Sequence, residues 1–252
     1  MPPAYKTVPA VEKCFAILDL LSKSENPLGI SDVSKLLNLN KSTVFNMLYT
    51  LIDLNVLDAR SDGKFGFGPR FYMLGNAAGK RSELIQIVHP YLEKINRETK
   101  LSAFLGIRSD LRTVLIDKVD AAHHIRISSE IGMQMPVLAG AGIKAMLSLL
   151  SLQQVDELIE DVEYKPYTPR SIASKSLYKD EIDRVRKEGI AFDREEYIEG
   201  MVAIGVPLKN SSNNIQSAIW VVGLVQQLPQ EDVPVLAALL KEISIEINQR
   251  LL

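Results

Sequence analysis

Hydrophobic residues in the first 55 positions recur at helical spacing in three separate runs. The first run predicts a helix over residues 9–24. A second, shorter helix is predicted over residues 31–38 with Ser31 as its N-cap, and a third begins after Asn40, which can cap it. The inward-facing positions are Val11, Phe15, Leu18 and Leu21 in the first helix, Val33, Leu36 and Leu37 in the second, and Val44, Leu48, Leu51 and Leu54 in the third.

The third helix turns small polar side chains outward near its N-terminus. These residues are Ser42, Thr43, Asn46 and Thr50. A helix with such a face, placed after a short helix and a tight turn, has the arrangement of a DNA-recognition helix, whose first residues meet base edges in the major groove. Its first amide groups and the helix dipole also favour phosphate. The sequence therefore predicts DNA binding at this helix.

Two short strands with a turn between them follow the third helix. They are predicted over residues 56–60 and 64–67, with Gly63 available for a positive φ in the turn. Arg60 and Lys64 flank the tip of this hairpin, where basic side chains can contact phosphates or the minor groove. On charge alone, a plain solvated role for each of them is equally open. Together with the three helices, the hairpin predicts a winged helix-turn-helix.

The remaining residues predict helices interleaved with strands of two-residue alternation. A connecting helix over residues 70–80 precedes a longer one over 82–98. Strands are predicted over residues 101–107, 112–119, 124–128, 201–207 and 215–225, and helices over 141–150, 152–160, 177–187 and from 229 onward. This order indicates one α/β sensor-like domain with a mostly antiparallel sheet.

Charge is divided unevenly between the two parts of the 252-residue chain. Residues 1–80 carry nine Lys and Arg against seven Asp and Glu, a net +2, and the other 172 residues carry 20 against 24, a net −4. A small basic N-terminal part joined to a larger acidic part is typical of a modular regulator. A net charge of +2 is weak for DNA binding, so a dimer would combine the contacts of two such parts. No apolar run approaches the ~20 residues of a membrane span. The start of the chain lacks the apolar core of a signal peptide, so we expect a cytoplasmic protein.

Several residue groups offer chemistry that their sequence context argues against. Residues 140–145 match a GxGxxA dinucleotide fingerprint, but no parallel strand precedes them, so close helix packing is the better interpretation. The acidic run over residues 193–199 is interpreted chiefly as a solvated loop, with Asp193 as its candidate for ligand contact. The histidines lack metal-ligand spacing, and the single cysteine, Cys14, is expected to be a small buried hydrophobe. We expect neither a metal nor a cofactor.

Three motifs follow one another along the chain. They are ISDVSKLLNLNKSTVFNMLYTLIDLNVL with the hairpin after it, IGMQMPVLAGAGIKAMLS at residues 131–148, and GIAFDREEYIEGMVAIGVPL at residues 189–208. Each is weak alone, whereas the three in this order and spacing are specific. From residue 8 to its end, the chain resembles the IclR family of bacterial transcriptional regulators.

The resemblance implies an α+β chain with a winged helix-turn-helix over residues 1–69, a linker helix over 70–81 and a GAF-like α/β effector-binding domain over 82–252. It also implies a homodimer or tetramer on palindromic operator DNA, with a small organic molecule as effector. The positions that match the start of the family's recognition helix are Lys41, Ser42, Thr43, Phe45 and Asn46. The effector pocket is implied to be lined by Ile125, Ile127, Ala141, Gly142, Asp193, Met201, Ala203, Trp220 and Val222.

Four positions depart from the family pattern. At one of them Ile143 replaces the glycine before the family's lysine, which makes this helix start less open to an anion. Asn46 stands where an arginine is common, which removes a contact to guanine or phosphate worth ~1–3 kcal/mol and favours adenine instead. Trp220 and Val222 replace small hydroxyl residues on the penultimate strand, so a small carboxylate would lose hydrogen bonds that it needs in a dry site. We therefore expect an apolar or aromatic effector, or a pocket that Trp220 partly fills.

The leading hypothesis is a ligand-responsive transcriptional regulator, expected to be a repressor. One alternative is an enzyme, a hydrolase or transferase that uses the pocket of the second half and the acidic run. Another is an adaptor whose winged helix binds protein, since a fold alone does not fix a function.

Overall fold

The computed structural model describes residues 6–24, 26–80, 82–121, 129–209 and 215–251. The chain divides into two compact units, residues 1–80 and residues 81–252. Each unit has a hydrophobic core of its own. The strand predicted at residues 124–128 lies outside the described residues.

The first unit combines helices with a small antiparallel sheet. Its helices are α1 (Pro9–Lys23), α2 (Ile30–Leu36), α3 (Lys41–Asp53) and α4 (Pro69–Lys80), and its strands are β1 (Leu28–Gly29), β2 (Leu57–Ala59) and β3 (Lys64–Phe67). Strand β3 lies between β1 and β2 and pairs with both. Because α3 follows α2 after a short turn and the β2–β3 hairpin forms the wing, the predicted winged helix-turn-helix is confirmed.

The core of the first unit forms where its helices meet. Val44, Leu48 and Leu51 of α3 are buried and belong to one cluster with Ile17 of α1. This is the stripe predicted for α3, apart from its last member, Leu54, which is 44% exposed. The inward stripe fixes which face of α3 remains on the surface.

Helix α1 buries only half of its predicted stripe: Leu18 is buried and Leu21 is partly buried against the core, as predicted. Ile17 and Leu18 are buried, whereas Val11 and Phe15 are 52% and 59% exposed. Leu36 of α2, also predicted to face inward, is 60% exposed. A unit of this size has too few elements to cover the whole apolar stripe of each helix, so part of that stripe stays on the surface.

Neither predicted side-chain cap forms, although Asn40 does stand at the N-cap position of α3. Helix α2 begins at Ile30 after Gly29, not after Ser31, and the Gly29 amide donates to the Asp32 carboxylate at 2.9 Å. Helix α3 does follow Asn40, but the side chain of Asn40 makes no capping hydrogen bond. The carboxylate of Asp32, at the third position of α2, thus bonds back to the amide of the residue before the helix, whereas a capping serine would have accepted from an amide inside the first turn.

The second unit is a five-stranded antiparallel sheet with helices packed on it. The strands are β4 (Ser102–Ser109), β5 (Arg112–Val119), β6 (Ala191–Arg194), β7 (Met201–Leu208) and β8 (Ser217–Leu224), in the order β5-β4-β8-β7-β6. The helices are α5 (Glu83–Thr99), α6 (Gly140–Leu147), α7 (Leu152–Leu158), α8 (Lys175–Glu188) and α9 (Val233–Arg250). The predicted α/β architecture with an antiparallel sheet is confirmed.

The two faces of this sheet build separate cores. Successive residues of a strand point to opposite faces. Leu105 of β4 joins a cluster with Ile95 of α5 and Ile243 of α9, and its neighbour Phe104 joins a cluster with Ile182 of α8. Helix α6 lies on the Phe104 face.

Strand β6, like the two-residue strand β1, is an element that the sequence pattern does not predict. It is four residues long and places Asp193, a charged residue, at a buried position opposite Ala203 of β7. A short strand with a carboxylate in it has no clear two-residue alternation of apolar residues. The pairing with β7 decides its conformation.

Candidate functional site

The outward face of α3 holds the residues predicted to contact DNA. Those exposed on it are Lys41, Ser42, Phe45, Asn46 and Thr50, and Thr43 is half-buried. The Thr50 hydroxyl donates to the Asn46 carbonyl at 2.7 Å, which commits its proton to the helix backbone. No side chain caps α3, so its first amide groups remain available to a phosphate.

Two aromatic side chains stand on the same helix one turn apart. The rings of Phe45 and Tyr49 have centroids 4.4 Å apart, and Tyr49 meets Phe65 of the wing edge-on at 6.3 Å. Both Phe45 and Tyr49 are more than 40% exposed. Tyr49 was missed as a surface residue of α3, although its spacing of four from Phe45 signals that the two share a face.

The wing tip is a tight turn with basic residues on either side. Gly63 has a φ of +74°. Arg60 Nε lies 3.8 Å from the Asp62 carboxylate, and the Lys64 amide donates to that carboxylate at 3.2 Å. Asp62 therefore offsets part of the positive charge at the tip.

The second unit has an apolar cavity beside the first turn of α6, with a volume of about 90 Å³. Seven of the nine residues predicted for the effector pocket line it: Ala141, Gly142, Asp193, Met201, Ala203, Trp220 and Val222. The other two, Ile125 and Ile127, lie outside the described residues. The cavity is also lined by residues that the sequence did not indicate, among them Phe104, Thr113, Leu115, Ser129, Met135 and Tyr197.

Trp220 occupies the middle strand of the sheet and fits against glycines. A Cβ atom added at Gly106 would lie 2.7 Å from the indole ring, and one at Gly142 would lie 3.2 Å from it. At Gly205 an added Cβ would be 3.1 Å from the Trp220 Cβ. Phe104 packs edge-on to the indole, with centroids 5.7 Å apart. The indole therefore takes up space beside the cavity and keeps the cavity compact.

The expectation that the acidic run is a solvated loop is wrong for three of its residues. Asp193 is buried, and Glu195 and Glu196 have side chains less than one-fifth exposed. Burial raises the pKa of Asp193 to about 6, although the Glu196 amide donates to its carboxylate at 2.7 Å and favours the charged form. Glu195 is paired with Arg170. The run packs against the rest of the unit, where its carboxylates have partners on α6 and in the segment before α8.

The partner of Glu196 is a lysine that is far away in sequence. Lys144 of α6 is fully buried, and its Nζ lies 2.8 Å from both carboxylate oxygens of Glu196 and 3.4 Å from Glu181. The hydroxyl of Ser171 donates to the Glu196 carbonyl at 2.6 Å, and that of Thr168 donates to the Glu195 carbonyl at 2.7 Å. These contacts fix the segment that brings Tyr197 to the cavity wall.

Two hydroxyl groups at the cavity are without a hydrogen bond. The Thr113 Oγ1 and Ser129 Oγ atoms are buried, and no partner for either is found among the described residues. Both residues line the cavity. Small hydroxyl residues were expected to be lacking on β8. The sequence around residues 113 and 129 gives no sign that their side chains line this cavity.

The described part of the chain holds no group of three or more His, Cys, Asp or Glu side chains that could bind a metal ion. His89 is hydrogen-bonded to Asp117 through Nδ1 at 2.7 Å, and His123 and His124 lie outside the described residues. Cys14, expected to be buried, is half-buried, and burial raises the pKa of its thiol. Among the described helices, none is long and apolar enough to cross a membrane.

A winged helix-turn-helix and a separate α/β unit with an apolar cavity define the class of DNA-binding transcriptional regulators that respond to a small molecule. Comparison with protein families supports this class. The IclR helix-turn-helix domain matches residues 10–60, and the bacterial transcriptional regulator IclR C-terminal domain matches residues 76–249. The chain belongs to the IclR family. The relatives reported below are transcriptional regulators.

Relatives of known type cover most of the chain. The HTH-type transcriptional regulator KdgR of Escherichia coli K12 is 31% identical over 203 residues, 80% of this chain and 77% of KdgR. The transcriptional repressor IclR of the same strain is 24% identical over 249 residues, 98% of this chain and 91% of that protein.

Solved structures share the fold over nearly the whole length. An IclR transcriptional regulator from Alicyclobacillus acidocaldarius has a TM-score of 0.82 at 24% identity, covering 98% of this chain and 100% of its own. An IclR homologue from Microbacterium hydrocarbonoxydans, solved in complex with 4-hydroxybenzoate, has a TM-score of 0.74 at 17% identity and covers 96% of this chain and 98% of its own.

Proposed function

We propose that this regulator is a cytoplasmic repressor that binds palindromic operator DNA as a homodimer or tetramer and is controlled by a compact apolar or aromatic effector. Its similarity to the E. coli repressor IclR supports repression as the sign of regulation. In this proposal residues 1–69 bind DNA, residues 70–81 link, and residues 82–252 sense the effector.

The observation that carries DNA binding is the outward face of α3. Its N-terminal half presents Lys41, Ser42 and Asn46 beside uncapped amide groups. In a major groove the Asn46 amide can pair with adenine, and the Phe45 ring can contact a thymine methyl group. Arg60, at the wing, is placed to supply a phosphate contact.

Exposed apolar side chains in the first unit support a homodimer. Val11 and Phe15 of α1 are more than half exposed, as are Tyr72, Met73 and Leu74 of α4. Apolar groups in such number are typical of a surface that a partner covers. A two-fold symmetric dimer would also place two α3 helices on half-sites about one helical turn apart, and would double the weak positive charge of one unit.

The cavity of the second unit supports a small effector with a ring. Its walls are mainly apolar, with Phe104, Leu115 and Val222 among them. The homologue with the same fold that was solved with 4-hydroxybenzoate supports an aromatic ligand. An effector that binds one arrangement of the dimer more tightly shifts the population toward it, which changes the fit of the two α3 helices to DNA.

The test measures binding of the full chain to DNA from the region upstream of its own gene. Fluorescence anisotropy of the labelled DNA gives the affinity at several salt concentrations. We expect a sequence-selective complex that weakens as salt rises, because phosphate contacts release counterions. Lys41→Ala should reduce the slope of log K against log salt concentration by about one, because one phosphate contact is lost. Lys23→Ala, at an exposed position at the end of α1, is the matched control and should leave binding unchanged. Binding that is neither selective nor sensitive to Lys41 would refute the assignment of α3.

A further inference from the structure

We propose that Thr113 and Ser129 form a polar subsite of the cavity that receives a neutral oxygen group, a hydroxyl or carbonyl, on a single-ring effector. The inference rests on the proposed effector function of this cavity and names the class of ligand. Thr113 lies on the edge strand β5, and its side chain and the Trp220 ring approach each other over Gly106 of β4. Ser129 lines the same cavity.

The first observation is the state of the two hydroxyl groups. Thr113 is 1% exposed, and its Oγ1 has no hydrogen-bond partner among the described residues. The Ser129 Oγ is also buried and has no hydrogen-bond partner among the described residues. A buried polar group is nearly always hydrogen-bonded in a native protein, and one left without a partner requires a reason. A ligand atom that supplies the missing hydrogen bonds is such a reason.

The second observation is the orientation of Thr113. Its Cγ2 methyl group is the atom near Gly106, where an added Cβ would come within 2.7 Å of it. Its Oγ1 is the atom near Gly142, where an added Cβ would lie 3.4 Å away. The hydroxyl therefore faces the first turn of α6, which lines the cavity, and the methyl group faces the sheet.

The charges around the cavity favour a neutral ligand group. Among the described lining residues, the charged side chain is Asp193, an acid. Lys144, the nearby buried cation on α6, is already bound to Glu196 and Glu181. A carboxylate in this cavity would be buried beside another carboxylate without a free cation from the described lining, which is unfavourable. A hydroxyl group can donate and accept, so threonine and serine can satisfy a phenol, an alcohol or a ketone.

The size of the cavity sets the size of the ligand. Its volume is about 90 Å³, and its lining is mostly apolar. An engineered apolar cavity of roughly 150 Å³ is known to bind benzene. The cavity here is smaller than that one, so we infer an upper limit of one ring, with a polar substituent no bulkier than a hydroxyl or carbonyl oxygen.

The test uses phenol, toluene and benzoate as matched probes of the full-length protein near neutral pH. The chain has one tryptophan, Trp220, in the cavity wall, so its fluorescence reports occupancy directly. We expect phenol to bind ~10-fold or more tighter than both toluene and benzoate, because it alone fills the ring space and satisfies the hydroxyls.

Two substitutions at one position isolate the hydroxyl. Thr113→Val keeps the shape and removes the oxygen, so it should abolish the preference for phenol and leave toluene binding unchanged. Thr113→Ser keeps the hydroxyl and should retain the preference. The melting temperature of ligand-free Thr113→Val should equal or exceed that of wild type, since a hydroxyl without a partner is replaced by a methyl group. Ser129→Ala should likewise weaken phenol binding relative to toluene binding.

The outcomes separate the subsite from the cavity. Equal affinities for phenol and toluene, or tightest binding of benzoate, would overturn the subsite while leaving the cavity as an effector site. A lower melting temperature for Thr113→Val would show that the hydroxyl is already hydrogen-bonded and would also overturn it. If none of the probes changes the fluorescence of wild-type protein, the compact aromatic effector of the proposed function fails together with the subsite.

Discussion

The Nζ atom of Lys144 lies 2.8 Å from both carboxylate oxygens of Glu196, at a fully buried position. Lys144 stands on α6, whose first turn lines the cavity, and Glu196 precedes Tyr197, which also lines it. The amide of Glu196 in turn donates to Asp193 at 2.7 Å. A single buried ion pair therefore fixes two walls of the cavity relative to each other.

Replacing this lysine tests the ion pair. Lys144→Met should lower the free energy of unfolding by ~3–5 kcal/mol, because Glu196 would keep a largely buried charge without its cation. Urea denaturation measures the change. Lys187→Met is the matched control, since Lys187 is an exposed lysine of α8 that pairs with Asp183, and it should have little effect. Similar losses in the two variants would contradict the role assigned to Lys144.

The packing of the indole against glycine gives a second prediction. Gly106→Ala would place a methyl group 2.7 Å from the Trp220 ring and from the Thr113 Cγ2. Overpacking of this kind should destabilise the protein by ~1–3 kcal/mol and shift the emission of Trp220. The control is Gly75→Ala in α4, where an added Cβ meets no atom within 4 Å, and this change should stabilise the protein slightly. Unchanged emission and stability in Gly106→Ala would refute the close contact.

The raised pKa of Asp193 predicts a pH dependence of stability. Burial moves it from the ordinary 3.8 to about 6, so between these values the folded protein keeps a proton that the unfolded chain has lost. The contribution of Asp193 to the free energy of unfolding therefore falls as pH rises through this window and is constant above it.

The variant Asp193→Asn removes this titration. The free energy of unfolding of this variant, minus that of wild type, should increase by at most ~3 kcal/mol as the pH rises from about 4 to about 7. Denaturation of both proteins at a series of pH values measures the difference. A difference that is the same at every pH would show that the carboxyl group is not perturbed by burial.

The identity of residue 46 should set part of the operator preference. Asn46→Arg should move the preferred base at the contacted position toward guanine, with a discrimination of ~1–3 kcal/mol, because arginine pairs with guanine in the major groove. Selection of bound sequences from a random DNA pool measures the preference. Asp53→Arg, at the last position of α3, adds the same charged group away from the helix start. It should strengthen binding to all sequences alike, and a base preference that changes equally in both variants would contradict the assignment of Asn46.

Local periodicity was sufficient for most of the fold. The stripe of Val44, Leu48 and Leu51 alone decides that α3 is a helix and which of its faces is buried, because residues three and four apart lie on one side of a helix whatever surrounds it. The same argument places Asn46 and Phe45 on the surface. The winged helix-turn-helix and the antiparallel sheet were therefore predictable from spacing and turn residues.

Contacts between distant parts of the chain were decided only by the tertiary structure. Thr113 of the edge strand β5 and Ser129 line the same cavity as Trp220 of β8, and Lys144 meets Glu196 across 52 positions of sequence. Val11 and Phe15 follow the predicted helical stripe but find nothing in their unit to cover them. The spacing of hydrophobic residues indicates which side of a helix or strand is apolar. Which residues pack against that side depends on the strand order and on how many other elements are present.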